Sequence, residues 1–107
     1  MIYFAYIPTS SKDEALKLAH LAVEQQLAAC ANIYDAITSV YKWEGQIQQD
    51  EECLLILKTD GLHKEALTKL IESEHSYDCP CITFFAADRV DGHQPYFDWV
   101  REQLRLD

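Results

Sequence analysis

The sequence has little glycine or proline and no long apolar run. Glycine and proline occur three times each among 107 residues, which excludes collagen-like repeats and argues against a disordered chain. No stretch approaches the roughly 18 apolar residues of a membrane helix. The apolar start MIYFAYIP lacks basic flanks and stops at Pro8. We therefore expect one cytoplasmic domain over residues 1–107, without a membrane span or a targeting segment.

Basic residues are also scarce. Nine lysines and arginines stand against eighteen aspartates and glutamates, a formal net charge of -9. Such a chain repels a phosphate backbone and an anionic lipid surface, so neither nucleic acid nor membrane is an expected partner. The acidic excess favours cations, although an excess of surface carboxylates more commonly serves solubility.

Periodicity predicts seven elements. IYFAYI (2–7) is predicted to be a buried strand ended by Pro8, and the segment 9–29 an amphipathic helix capped by Thr9, Ser10 or Ser11. Residues 30–43 and 46–59 are predicted to form a hairpin that turns at WEGQ, where Gly45 tolerates a positive φ. A helix (61–75), a strand (81–90) and a last helix (92–106) follow, and the last helix is expected to turn Tyr96, Trp99 or Val100, and Leu104 inward.

The order β-α-β-β-α-β-α predicts an α+β fold, the ferredoxin-like sandwich, in which two helices cover one face of an antiparallel sheet. The other face of the sheet would then stay bare. The long hairpin, polar in QIQQDEE and apolar in CLLIL, would project beyond its own domain. Both features indicate an oligomer.

Five segments carry a family resemblance, namely LAACANI (27–33), ITSVYKWEGQI (37–47), LILKT (55–59), HSYDCPCI (75–82) and YFDWV (96–100). In this order and spacing they resemble the CutA family, the divalent-cation tolerance proteins. The resemblance implies a PII-like homotrimer whose hairpins pair with neighbouring sheets, and a cytoplasmic protein associated with copper and other divalent metals. The family pattern looks like HPYEVPEI where this chain has HSYDCPCI, so that Cys81 replaces a glutamate.

The resemblance also implies a ligand cleft between subunits. Its expected members are Tyr41, Trp43, Glu44, Lys58, His75 and Tyr77. Structural roles compete with this interpretation, because aromatic side chains often anchor interfaces and a histidine after a helix often interacts with the helix dipole. Lys58 either pairs with a carboxylate or binds an anionic ligand. His20, His63 and His93 are expected to be solvent-exposed.

The four cysteines are Cys30, Cys53, Cys79 and Cys81. In a reducing compartment they do not indicate a disulfide framework. Cys79 and Cys81, two residues apart on a predicted strand, would project to one face and suit a soft ion such as Cu(I), or Zn(II) with further ligands. His75 and Cys30 are candidate additional ligands. The alternative is that these cysteines are small core residues, which is the interpretation preferred for Cys53.

We expect a binding protein without turnover, which takes a metal ion or a small effector between subunits. The sequence shows no Walker loop, nucleophile elbow or H-E-x-x-H motif. Two alternatives stay open. One is a thiol redox enzyme or metal carrier that uses Cys79 and Cys81, and the other is a trimeric scaffold or signalling protein that docks a partner protein.

Overall fold

The structure, a computed structural model, describes residues 1–87 and 92–106. Its elements are β1 (Ile2–Thr9), α1 (Lys12–Glu24), β2 (Cys30–Trp43), β3 (Gln46–Asp60), α2 (Lys64–Glu74), β4 (Thr83–Ala86) and α3 (Gln94–Glu102). The predicted order is confirmed. The predicted strand 81–90 extends past Ala87, and its last residues lie outside the described ones. Within the described ranges, no helix is long and apolar enough to cross a bilayer.

The four strands form one antiparallel sheet in the order β2-β3-β1-β4. Strand β1 therefore lies between β3 and β4, and β4 forms one edge of the sheet. This strand order, with the helical crossovers between β1 and β2 and between β3 and β4, is the ferredoxin-like fold predicted from the sequence.

The hairpin of β2 and β3 extends beyond the rest of the sheet. Pairing between β1 and β3 ends at Thr9 and Cys53, whereas β2 and β3 stay paired up to Trp43 and Gln46. Residues 37–52 thus form a two-stranded arm whose strands, among the residues that the structure describes, pair only with each other. Glu44 (φ 49°) and Gly45 (φ 79°) form its turn, and two consecutive positive φ values are typical of type I′ hairpin turns.

The main core lies between one sheet face and the helices α1 and α2. The interior residues of the sheet alternate along the strands, as half-buried strands do. They are Ala5, Ile7, Cys53, Leu55 and Leu57, and the helices contribute Ala15, Leu18, Ala22, Leu67 and Ile71. Cys53 is 1% exposed, so its prediction as a core residue is confirmed.

The second sheet face is partly covered, not bare as the sequence predicted, because α3 folds onto one end of it. Phe97 and Val100 pack there against Ile2. The expected inward face of α3 is confirmed for Val100, which is fully buried, whereas Trp99, the alternative to it, is 41% exposed. Phe97, which was not expected to face inward, is also buried. Tyr96 is half-buried, and Leu104 is buried as predicted.

Beyond α3, the second face stays open. Tyr6, Tyr34 and Phe85 are 37%, 68% and 57% exposed. Several exposed rings on one sheet surface are typical of a face that another protein surface covers.

Two local predictions were wrong. Pro8 does not end β1, which continues to Thr9. β4 pairs only with Tyr3 to Tyr6, so one side of β1 is unpaired at Pro8 and a residue without an N–H is tolerated there. His63, at the N-cap position of α2, is not exposed but buried. Its ring nitrogens contact the Asp60 carboxylate at 2.6 Å and the Arg105 carbonyl at 2.8 Å.

Candidate functional site

Residues 75–82, HSYDCPCI, form an irregular segment, here called the thiol segment. The sequence placed Cys79 and Cys81 on a strand, but β4 begins only at Thr83, opposite Tyr6. Two residues further along this register, Cys81 would face Pro8, which has no N–H to donate. The strand therefore starts later than predicted, and the two cysteines lie on a loop.

His75 fixes the start of the thiol segment. Its side chain is fully buried, Nε2 lies 2.9 Å from the carbonyl oxygen of Pro8, and Nδ1 lies 3.1 Å from the backbone nitrogen of Tyr77. A carbonyl only accepts and a backbone N–H only donates, so Nε2 carries the proton and Nδ1 accepts. Both ring nitrogens have partners, and metal or ligand binding by His75, which stays a prediction, requires at least one of these bonds to break.

Glu14 fixes the next residue of the thiol segment. One carboxylate oxygen accepts from the backbone N–H of Ser10 at 2.9 Å and from its hydroxyl at 3.0 Å, and the other accepts from the backbone N–H of Ser76 at 2.7 Å. Burial acts to raise the pKa of Glu14, but the hydrogen bonds from Ser10 and Ser76 outweigh it and hold the pKa below its ordinary value. A charged carboxylate thus links the start of α1 to this loop.

Two tyrosine hydroxyls bind carboxylates of the arm. Tyr77, on the thiol segment, donates to Glu52 at 2.7 Å, and Tyr41 donates to Asp50 within the arm. Burial, then the bond to Glu52, raises the pKa of Tyr77. The bond to Asp50 raises the pKa of Tyr41. Both phenols therefore stay protonated at neutral pH and hold one oxygen of each carboxylate in place.

The arm and the thiol segment enclose an open pocket of about 490 Å³, here called the arm pocket. Its walls carry aromatic rings, carboxylates and thiols. The lining residues are Pro8, Tyr41, Trp43, Asp50, Glu52, Tyr77, Asp78, Cys79 and Cys81. The structure thus brings five of the predicted site residues together: three aromatic residues and two cysteines.

Both cysteines of the thiol segment are exposed, so the alternative that they are core residues does not hold for the single chain. Their thiols are accessible from the arm pocket. However, no three His, Cys, Asp or Glu side chains converge on a possible metal position anywhere in the described part of the chain. The predicted set of Cys79, Cys81, His75 and Cys30 is therefore not assembled within one chain.

The remaining predicted residues lie elsewhere. Cys30 is half-buried near α3, with its sulfur 3.5 Å from the Tyr96 hydroxyl. Lys58, the strand neighbour of Cys30, places Nζ 5.2 Å from the ring centre of Phe4 and 5.3 Å from that of Tyr96. These are cation–π distances. Glu44 is exposed in the turn at the tip of the arm.

Sequence reasoning missed the three carboxylates of the arm pocket, Asp50, Glu52 and Asp78. A signal for the two on the arm was available. A two-residue turn at Glu44 and Gly45 fixes the register of the hairpin, and alternation then places Asp50 and Glu52 on the same face as Tyr41. Asp78 belongs to a loop whose path depends on the anchors at its start, and periodicity gives no information about such a path.

These features define a class: a ferredoxin-like α+β domain with a long hairpin arm and an acidic, thiol-bearing pocket beside it. The chain belongs to the family described as CutA1 divalent ion tolerance protein, whose model matches residues 3–103.

Known proteins of this family are similar along most of the chain. Protein CutA, chloroplastic, of Arabidopsis thaliana is 38% identical over 94% of this chain and 54% of its own length. The divalent-cation tolerance protein CutA of Thermus thermophilus is 36% identical over 90% of this chain and 91% of its own. The chain thus spans about half the length of the plant relative.

Solved structures agree with the fold. The crystal structure of CutA1 from Oryza sativa superimposes with a TM-score of 0.93 at 34% identity, covering 99% of this chain and 95% of that one. The structure of the divalent cation tolerance protein from Thermus thermophilus gives a TM-score of 0.92 at 33% identity, covering 98% of this chain and 100% of that one.

Proposed function

We propose that this protein is a homotrimeric binding protein without turnover, which takes up copper or another thiophilic metal ion at the arm pocket. The observation that carries the proposal is the exposed pair Cys79 and Cys81 on the wall of an acidic pocket. Soft thiolate ligands select ions such as Cu(I) and Zn(II), and the family is described by divalent ion tolerance.

The trimer completes the metal site in this proposal. No three donors converge within the described part of one chain, so a second copy contributes the missing ligands. The open sheet face with Tyr6, Tyr34 and Phe85, and an arm that pairs with nothing else, both support assembly. Cys30 and His75 are the further ligands predicted from the sequence, and either requires a rearrangement of its present contacts.

The proposal is tested by titrating Cu(I) and Zn(II), under anaerobic reducing conditions, into the wild type and the Cys79→Ser/Cys81→Ser double variant. We expect tight binding, with a fixed number of ions per trimer, that the double variant loses. Cys53→Ala is the matched control, because it removes a buried core thiol outside the arm pocket and is expected to retain binding. Equal affinity in the wild type and the double variant would refute the role of the pair.

The location and the absence of turnover also belong to the proposal. Reduced thiols fit a cytoplasmic protein, and assaying the cytoplasmic and other cell fractions separately for the protein tests that location.

Thiol–disulfide exchange with a dithiol substrate tests the redox alternative. Turnover that disappears in Cys79→Ser would make the protein an enzyme. Partner capture that survives the double variant would favour the scaffold.

A small effector is the second candidate ligand. The volume of the arm pocket and its three aromatic side chains, Tyr41, Trp43 and Tyr77, favour it, because small-molecule sites are concave, rich in aromatic residues and about 300 to 1,000 Å³ in volume. In this proposal a trimer presents three such sites.

A further inference from the structure

We propose that the arm pocket binds a small organic cation with a guanidinium or alkylammonium head. The inference rests on the proposed function, since it names the chemical class of the small effector. Three observations lead to it: the size of the pocket, the charges on its wall, and the aromatic side chains that stand beside those charges.

The size of the arm pocket exceeds that of a metal ion. Its volume of about 490 Å³ falls in the range of sites for organic molecules. A hard ion such as Ca²⁺ needs six to eight oxygen ligands around one point. Within the described ranges, no three acidic, histidine or cysteine side chains converge in that way. The carboxylates of the pocket therefore suit a ligand that spreads its contacts over a wall.

The charges of the wall select a cation. Asp50, Glu52 and Asp78 line the pocket, and among its described lining residues none is Lys, Arg or His. A nucleotide or another phosphate ligand would meet like charges without a compensating donor. The same carboxylates attract a cation, and the formal net charge of -9 on the whole chain adds to that attraction.

The aromatic side chains make an organic head group the best match. Tyr41, Trp43 and Tyr77 share the lining with the carboxylates, and aromatic faces attract guanidinium and alkylated ammonium ions. The hydroxyls of Tyr41 and Tyr77 hold Asp50 and Glu52 by one oxygen each. The two carboxylates are thus fixed beside the rings before a ligand arrives, which reduces the entropy lost on binding.

The experiment compares n-butylguanidinium with n-butylurea, a neutral analogue of nearly the same shape, by calorimetric titration of the full-length protein. We expect the cation to bind and the urea not to bind. The affinity should fall about tenfold in Glu52→Gln, as for the loss of a charge-assisted hydrogen bond. Glu72→Gln, which removes an exposed charge of α2 outside the arm pocket, should change it less than about twofold.

Two further measurements separate this inference from the metal proposal. The Cys79→Ser/Cys81→Ser variant should still bind n-butylguanidinium, whether or not it has lost Cu(I). Sedimentation of each variant verifies that its assembly matches the wild type. If the cation and the urea bind equally, the organic-cation proposal is wrong. If neither binds to a protein that takes up Cu(I), the organic-cation proposal is wrong and the metal proposal stands. Cation binding without Cu(I) binding overturns only the metal.

Discussion

The Tyr77 hydroxyl donates a 2.7 Å hydrogen bond to the Glu52 carboxylate, and this bond joins the thiol segment to the base of the arm. The two residues are 25 positions apart in the chain. Because both line the arm pocket, the bond sets the distance between its two walls.

Tyr77→Phe removes that hydrogen bond and keeps the ring. We expect the free energy of unfolding to fall by about 1 to 2 kcal/mol, because a charged acceptor loses its donor. Urea denaturation measures the change, and Tyr34→Phe, on an exposed ring, should have no comparable effect.

Tyr77 also contributes a pH dependence at the alkaline end. Its pKa is raised in the folded protein, so the stabilisation is complete below the ordinary value of 10.0 and is lost as the pH rises through the folded pKa. Ultraviolet titration of the wild type should show a phenol that ionises late and is missing in Tyr77→Phe. Identical titrations of the two proteins would contradict the bond.

Glu14→Gln tests the link between α1 and the thiol segment. The pKa of Glu14 is lowered by its hydrogen bonds to Ser10 and Ser76, so its stabilisation is present above its ordinary value of 4.5 and lost as the pH falls through the folded pKa. We expect the variant to be about 1 kcal/mol less stable at pH 7, because the amide has no charge and only one acceptor oxygen for the N–H groups of Ser10 and Ser76. The difference should shrink towards pH 3.

Asp13→Asn is the control for Glu14→Gln, because Asp13 carries the same charge in the same helical turn and is exposed. The measurement is the urea midpoint of the wild type, Glu14→Gln and Asp13→Asn at pH 3 and at pH 7. A difference between wild type and Glu14→Gln that is the same at both pH values would show that the carboxylate charge makes no contribution.

Trp43→Ala tests the trimer. Trp43 is 62% exposed in the single chain and lies on the arm, so it is free to anchor a neighbouring subunit. We expect the variant to shift towards monomer at low protein concentration, since truncation of a buried aromatic anchor commonly costs about 2 kcal/mol or more. Trp99→Ala, on α3, is the control, and an unchanged sedimentation profile for Trp43→Ala would remove the ring from the interface.

Glu44→Asn distinguishes the role of Glu44 in the turn of the arm from a role in binding a ligand. Glu44 has a φ of 49°, a value that asparagine adopts more readily than glutamate does. We expect a gain of a few tenths of a kcal/mol in the free energy of unfolding. If the variant also loses metal or cation binding, the Glu44 carboxylate takes part in the site, as the sequence predicted. Retained affinity would leave it a turn residue.

The sequence predicted those parts of the fold that depend on local periodicity. The alternation in residues 37–43 and the helical stripe with Leu67 and Ile71 identify the elements, and the turn at Gly45 sets the register of the hairpin. The tertiary contacts were not predicted. Val100 faces inward as one of the two predicted alternatives, but the burial of Phe97 was not predicted. It results from the docking of α3 on the second sheet face, which no single-sequence pattern specifies.

The candidate site shows the same division. Tyr41, Trp43, Tyr77, Cys79 and Cys81 were singled out by residue type and resemblance, and the structure brings them to one pocket. Lys58 and Cys30 were singled out in the same way, yet they lie together near Tyr96. Their position depends on the pairing of β2 with β3, which directs them to the sheet face beneath α3.

Pro8 has a further consequence for the behaviour of the protein in solution. An exposed sheet edge is a template on which foreign strands add, and native proteins protect such edges with short strands and prolines. Here the outer strand β4 has four residues, and beyond it Pro8 and Pro80 leave few donors for an incoming chain. The same proline that ends the pairing of β4 thus also limits strand addition at this edge of the sheet.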